Sequence, residues 1–137
     1  MSDINQIEHD FRIFFASFLE TALWASIINN PDNPEDLVPV DSYYEIDDLS
    51  EEAINNLRLE CRDFFDANYD LLCDMNRAGH LFFLNKNRHG SGFWDGDYNY
   101  PTKDGTIKNV GKFLSEQSKP YGSNYFYVGN DGLLYTE

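Results

Sequence analysis

The sequence has no apolar run long enough to cross a membrane, since a membrane-spanning helix needs about 18 to 20 predominantly apolar residues. The densest apolar stretch, FRIFFASFLETALWASII, is interrupted by Arg12 and Glu20. The first ten residues, MSDINQIEHD, are polar and acidic, which is not typical of a signal peptide. We therefore expect a cytoplasmic protein that does not bind membranes.

Cysteine is scarce, which argues against several kinds of site. The chain has only Cys61 and Cys73, and no CxxC pair. On the single helix that we predict across both residues, they would lie roughly 18 Å apart, too far for a disulfide. Free, buried thiols are the simplest interpretation, with neither a disulfide framework nor a cysteine-rich zinc site.

Basic residues are few in the first part of the chain. Residues 1–75 hold 18 Asp or Glu against three Arg, whereas residues 76–137 hold six acids against seven bases. The net charge of −14 therefore belongs almost wholly to the first part. So much negative charge argues against direct binding to nucleic acid or to an anionic membrane, and it favours a partner with a basic surface.

Hydrophobic periodicity predicts a first helix over residues 4–28, ended by a pair of prolines. A long acidic connection over residues 29–52 follows. Ser50 is a good N-cap for a second helix, which we predict to run to about Met75. Gly79 then has the character of a C-terminal helix stop.

The apolar period changes after this point. HLFFLNK and GFWDGDY are aromatic-rich and flank NRHGSG, which predicts a hairpin. A short helix is predicted around residues 107–114, and NYFYVG, NDG and LLYTE predict a final hairpin. The expected fold is one α+β domain over residues 1–137, in the order α-α-β-β-α-β-β, with a small antiparallel sheet of about four strands. Residues 1–75 would form its acidic helical half and residues 76–137 its β-rich half.

The most regular charge pattern lies on the predicted second helix. Asp63, Asp66, Asp70 and Asp74 step by three, four and four residues, which places them on one face of a continuous helix. They would span roughly 16 Å. Because duplex DNA also presents closely spaced negative charge, such a row could occupy the basic groove of a DNA-binding protein. The alternative is an ordinary solvated helix face.

The acidic residues at the start of the same helix would extend this surface. Their role would be to steer the approach of the partner and to occupy its phosphate sites. The candidate partner-binding residues are Asp47, Asp48, Glu51, Glu52, Asp63, Asp66, Asp70 and Asp74.

A second candidate site is the segment NRHGSGFWDGDYNY, residues 87–100. It could supply a cation, aromatic stacking faces and hydroxyl groups to a nucleotide-like ligand. The structural alternative is a tight hairpin in which either Phe93 or Trp94 completes the core. The candidate ligand-binding residues are Arg88, His89, Trp94, Asp95, Tyr98 and Tyr100.

The same segment also allows catalytic and metal-binding interpretations. His89 with Asp95 could act as a base with its orienting carboxylate in a small hydrolase, but no G-x-S-x-G elbow accompanies them. DGDYN resembles the start of a calcium loop, but Tyr100 and Thr106 stand where the loop needs Gly and a carboxylate. His80 and His89 belong to no compact zinc-ligand cluster. We therefore expect no enzymatic activity, no cofactor and no metal ion.

Four segments resemble a widespread family of small acidic phage-encoded proteins. They are FLETALWAS (18–26), YYEIDDLSEEAINNLRLECRDFFDANYDLL (43–72), AGHLFFLNKNRHGSGFWDGDY (78–98) and YVGNDGLLY (127–135). The third is similar to a family block that reads close to AGHDFWLTRNGHGAGFWD. This chain departs from the block at Leu81, Phe83 and Arg88, which replace Asp, Trp and a turn Gly.

The resemblance implies a phage or prophage origin and a non-structural accessory role. It implies no catalytic residues, because the family has no established activity. Combined with the charge, it leads to the hypothesis that the protein, as a monomer or dimer in the host cytoplasm, binds and inhibits a host protein with a basic surface. It would act as a DNA mimic against restriction or CRISPR-type defence. Ligand sequestration by residues 88–100 and hydrolysis by His89 with Asp95 are the alternatives.

Overall fold

The computed structural model describes residues 4–87, 93 and 110–137. Within these ranges the helices are α1 (Ile4–Ala25), α2 (Glu51–Asn68), α3 (Met75–Lys86) and α4 (Val110–Ser118). Two antiparallel hairpins accompany them, formed by β1 (Ile27–Asn30) with β2 (Asn33–Pro39), and by β3 (Phe126–Val128) with β4 (Leu134–Thr136). This mixture of helices and small antiparallel sheets confirms the predicted α+β class.

Helix α1 carries much of the hydrophobic core. Its buried rings recur at helical spacing, as predicted, and include Phe11, Phe14 and Phe18. The helix ends at Ala25 rather than at residue 28, because the chain turns into β1. The prediction of a long connection over residues 29–52 is also wrong, because most of this segment forms the hairpin β1–β2 and two short 3-10 helices.

Helix α3 packs closely across α1, and Gly79 is the residue that allows it. A Cβ atom built on Gly79 would lie only 2.1 Å from the backbone oxygen of Phe14. Any side chain here would therefore force the two helices apart. Gly79 lies inside α3, so its predicted role as a helix stop is wrong.

The segment HLFFLNK is helical and not the predicted strand. Asp74 is the N-cap of α3, because its carboxylate accepts a hydrogen bond of 3.1 Å from the backbone N–H of Arg77. The run from Leu81 to Leu84 is buried throughout, whereas a half-exposed strand would alternate. Phe82 stacks on Phe64 of α2 with the ring centroids 4.1 Å apart. A short apolar run does not by itself distinguish a buried helix from a strand, which is why the pattern misled.

Helix α2 begins at the predicted N-cap but ends earlier than predicted. The Ser50 hydroxyl accepts the backbone N–H of Ala53 at 3.0 Å. The helix stops at Asn68, and a 3-10 turn over Tyr69–Leu71 leads towards α3. The two cysteines therefore do not share a helix. They form no disulfide with each other, and Cys61 is buried whereas Cys73 is exposed, so the prediction of a buried thiol is wrong for Cys73.

The C-terminal elements agree better with their prediction. Helix α4 overlaps the predicted short helix, and the final hairpin β3–β4 is confirmed. Its turn uses Gly132 at a positive φ of 81°, a backbone conformation that favours glycine. The predicted four-stranded sheet is not confirmed, because the strands of the described ranges form two separate two-stranded sheets. None of the helices in these ranges is long and apolar enough to cross a membrane.

Candidate partner-binding surface

The outer face of α2 presents acidic side chains on a rigid support. Glu52, Asp63 and Asp66 lie on the side of the helix opposite its buried residues, and all three are exposed. Glu51 precedes them in the first turn, where the helix dipole stabilises negative charge. The helix therefore holds four exposed carboxylates along its length.

The segment before α2 adds two acids at its N-terminal end. Asp47 and Asp48 belong to a 3-10 helix over Ile46–Asp48, in which the Asp48 carboxylate accepts the backbone N–H of Glu45 at 2.8 Å. The chain is then fixed to the final hairpin, since the backbone N–H of Ser50 donates to the carbonyl of Leu134 at 2.8 Å. These acids are thus anchored beside the start of α2.

The predicted single row of four aspartates is broken. Asp63 and Asp66 lie on α2, but Asp70 lies in the following 3-10 turn and Asp74 caps α3. The physical reason is that the chain leaves the path of α2 at Asn68, whose side-chain amide donates to the carbonyl of Phe64 at 3.0 Å. All four aspartates are exposed, but they do not share one helix face.

Some of these carboxylates are already engaged within the protein. Asp63 accepts a hydrogen bond of 2.6 Å from the hydroxyl of Tyr121. Burial raises the pKa of Tyr121, and this hydrogen bond adds to the shift. Asp66 forms an ion pair with Arg62 at 3.0 Å. Exposed ion pairs of this kind add little to stability.

Other members of the set have no such partner. Within the described ranges, no hydrogen bond or ion pair engages the carboxylates of Asp47, Glu51, Glu52 and Asp70. All four residues are exposed. These side chains are therefore the ones most available to a partner, a distinction that sequence spacing alone did not reveal.

The second candidate site lies outside the described residues. This holds for all six of its members: Arg88, His89, Trp94, Asp95, Tyr98 and Tyr100. The neighbouring Phe93 is described, is fully buried and packs against Phe64 with ring centroids 5.8 Å apart. That contact agrees with the structural interpretation in which one ring of this segment completes the core, while ligand binding and hydrolysis stay predictions.

A buried cation next to this segment was missed by the sequence patterns. The Lys86 ammonium is fully buried, donates a hydrogen bond to the Asn124 side chain and lies 3.8 Å from the Glu60 carboxylate. Burial lowers the pKa of Lys86, while the nearby Glu60 opposes that change. Because its ammonium is partnered by both the Asn124 side chain and the Glu60 carboxylate, Lys86 has the character of a structural group in the core.

Metal binding finds no support within residues 4–87, 93 and 110–137, where no group of three His, Cys, Asp or Glu side chains is placed to hold an ion. His80 instead packs against Trp24, with ring centroids 6.1 Å apart. Its Nδ1 lies 2.8 Å from the Thr21 hydroxyl.

Comparison with known proteins finds no match to this chain. No family model, curated protein or solved structure matches the chain. The resemblance to phage-encoded proteins and the function that it implies therefore stay predictions.

Proposed function

We propose that this protein binds a partner protein at a basic, nucleic-acid-binding surface and so prevents nucleic acid from occupying it. The observation that carries the proposal is the separation of charge on α2. Its outer face bears the exposed acids Glu52, Asp63 and Asp66, whereas its two cations lie on the side towards α1, where Arg62 pairs with Glu8 and Arg58 contacts the Phe15 ring. A surface of one charge sign attracts a partner surface of the opposite sign, both while the two proteins approach and in the bound complex.

The spacing of the carboxylates fits a phosphate-binding surface. Glu52 and Asp63 are separated by roughly 16 Å along the helix axis, and Asp63 and Asp66 by roughly 4.5 Å. Duplex DNA carries about one charge per 1.7 Å of axis, so a protein groove built for DNA is lined with cations that can pair with these more widely spaced carboxylates. Because the helix backbone is already ordered, binding adds no further cost in backbone conformational entropy.

Acidic residues at the two ends of α2, all exposed except the half-buried Asp48, widen this surface. Asp47, Asp48 and Glu51 extend it at the N-terminal end, and Asp70 and Asp74 extend it at the C-terminal end. The resemblance to phage-encoded proteins points to a host factor as the partner, with restriction and CRISPR-type nucleases as natural examples. Inhibition then follows from occupancy and needs no catalytic residue.

The experiment is affinity capture from a nuclease-treated host lysate, followed by elution with duplex DNA. We expect a nucleic-acid-binding protein that the duplex displaces and that high salt releases. The test variant converts the four unengaged carboxylates to amides: Asp47→Asn, Glu51→Gln, Glu52→Gln and Asp70→Asn. Capture by this variant should fall at least tenfold.

A matched control separates the surface from the net charge. It removes the same number of exposed acids elsewhere: Glu20→Gln, Glu35→Gln, Asp41→Asn and Glu137→Gln. We expect this variant to capture the partner as well as the unmodified protein does. If both variants lose partner capture equally, overall charge explains the binding. If the first variant still captures the partner, the proposed surface is refuted.

A further inference from the structure

A groove between α1 and α2 has a chemistry unlike the rest of the acidic half. It encloses about 690 Å³, within the range of about 300–1,000 Å³ that is typical of small-molecule sites. Its apolar wall comes from α1 and includes Phe11, Phe15 and Leu19. Ala16 and Leu59 lie at its exposed edges.

All three bases of residues 1–75 line this one groove. Arg12 reaches it from α1, and Arg58 and Arg62 reach it from α2. The Arg58 guanidinium lies 5.3 Å from the ring centroid of Phe15, and that of Arg62 lies 4.9 Å from the ring centroid of Phe11. Contacts of this kind favour a cation over an aromatic face, so the guanidinium groups of Arg58 and Arg62 lie along the apolar wall.

The groove has a cationic part and an apolar end. Arg62 pairs with Glu8 at 2.8 Å near the start of α1, and Glu8 is the one acid in the lining. The Arg62 charge is also shared with Asp66 at 3.0 Å. The opposite end is formed by Leu19 and Ile46. Arg12 and Arg58 therefore leave the groove with a positive excess that Glu8 does not cancel.

We propose that this groove binds a single-chain amphiphile with a carboxylate headgroup. The headgroup lies between Arg12 and Arg58, and the chain follows the apolar wall towards Leu19 and Ile46. Guanidinium groups suit this ligand because they bind carboxylates through paired, charge-assisted hydrogen bonds. The apolar wall accounts for the hydrocarbon chain, because burial of each CH₂ group contributes about 0.8 kcal/mol.

The overall negative charge does not prevent such binding. At physiological ionic strength, charges separated by more than about 8 Å are largely screened, so the nearby arginines dominate for a ligand in the groove. The site uses none of the four unengaged carboxylates of the proposed partner-binding surface. A negative result for the groove therefore does not refute the proposed function, and the converse also holds.

The test is isothermal titration of the intact protein with dodecanoate, kept below its micellar concentration. Dodecyltrimethylammonium, which has the same chain and the opposite charge, is the paired probe. We expect dodecanoate to bind at one site per chain and the cationic probe to bind at least tenfold more weakly. Equal binding of the two probes, or no binding of dodecanoate, would overturn the proposal.

Two kinds of variant locate the site. Arg12→Gln with Arg58→Gln should weaken dodecanoate binding at least tenfold. The control, Lys112→Gln with Lys119→Gln, removes one exposed cation of α4 and one directly after it, and should leave the affinity unchanged. Equal affinity of both double variants for dodecanoate would overturn the proposed headgroup site.

Ala16→Trp tests the groove itself, because the indole would fill it from an exposed helix position. We expect dodecanoate binding to be lost while the circular dichroism spectrum is retained. Sedimentation of the same variant tests a different occupant. If the unmodified chain is a dimer and Ala16→Trp makes it a monomer, the groove is an interface between copies and the ligand proposal is wrong.

Discussion

The two sides of α2 differ in what they contribute. Its inner side buries Leu57, Phe64 and Phe65 against other rings, whereas its outer side carries Asp63 and Asp66 in solvent. The inner side stabilises the fold, because burial of apolar surface is the main favourable term in folding. The outer side is free to vary without disturbing the core. Interior substitutions should therefore change stability, and outer substitutions should change binding.

The largest effect on stability is expected from Gly79→Val. The new side chain would collide with the backbone of α1, since even its Cβ atom would lie 2.1 Å from the Phe14 oxygen. We expect a loss of roughly 5 kcal/mol or more in the free energy of unfolding, above the usual range of about 1–3 kcal/mol for overpacking, because the clash is with backbone and not with a movable side chain. Asn56→Val, at an exposed position of α2, controls for a β-branched residue in a helix. A Gly79→Val protein with unaltered denaturant unfolding would contradict the close helix crossing.

Phe82→Ala should produce the next largest loss. The ring is fully buried and stacked on Phe64 at 4.1 Å, so its removal leaves a cavity at the junction of the helices. The expected cost is about 3–5 kcal/mol, measured by denaturant unfolding. Phe113→Ala makes the same chemical change at a ring that is 48% exposed, and it should cost far less. Similar losses for the two variants would mean that the core is not where we place it.

Asp74→Ala separates a structural acid from a purely surface acid. Asp74 caps α3, and loss of an N-cap costs about 1 kcal/mol. Asp70→Ala removes the same charge from an unengaged position and should change the free energy of unfolding by less than about 0.5 kcal/mol. In partner capture the order should reverse, with Asp70→Ala the more damaging variant. If Asp70→Ala lowered the free energy of unfolding as much as Asp74→Ala, the distinction between a helix-capping acid and a surface acid would be contradicted.

The smallest difference is expected at His80, which lies between interior and surface. Burial lowers the pKa of His80 below its ordinary value of 6.5. The unfolded chain therefore binds a proton at a higher pH than the folded chain does, and stability from this group falls as the pH drops through 6.5. Relative to His80→Gln, the unmodified protein should lose stability between pH 7 and pH 5, roughly the range in which histidine titrates.

His9→Gln, at an exposed position of α1, is the control, because it measures the effect on stability of replacing a histidine that is exposed. Denaturant unfolding of the three proteins across the pH range provides the measurement. A stability difference between the unmodified protein and His80→Gln that stays constant with pH would argue against the buried environment.

Parts of the fold were predictable from the sequence because local signals and packing agree there. The helical spacing of Phe11, Phe14 and Phe18 predicted α1, and the N-cap at Ser50 predicted the start of α2. Helix α3 was missed because aromatic residues favour strands in isolation, while packing against α1 decides here. Gly79 misled for a related reason, since its role is contact between helices and not helix termination.

The candidate surface was predictable in composition but not in geometry. Counting charges located the acidic half, yet spacing could not show that the chain leaves α2 before Asp70. The arginine groove was missed because Arg12 is remote in sequence from Arg58 and Arg62. A local signal did exist, since Arg58 and Arg62 are four residues apart and share one side of α2.

We propose that the acidic surface replaces nucleic acid on the partner protein. The most direct measurement titrates the protein into a preformed complex of the captured partner with labelled duplex DNA, followed by fluorescence anisotropy. We expect release of the duplex in a single competitive transition, and this transition should shift to higher protein concentration for the variant lacking the four unengaged carboxylates. A stable ternary complex, with the duplex still bound at saturating protein, would contradict it.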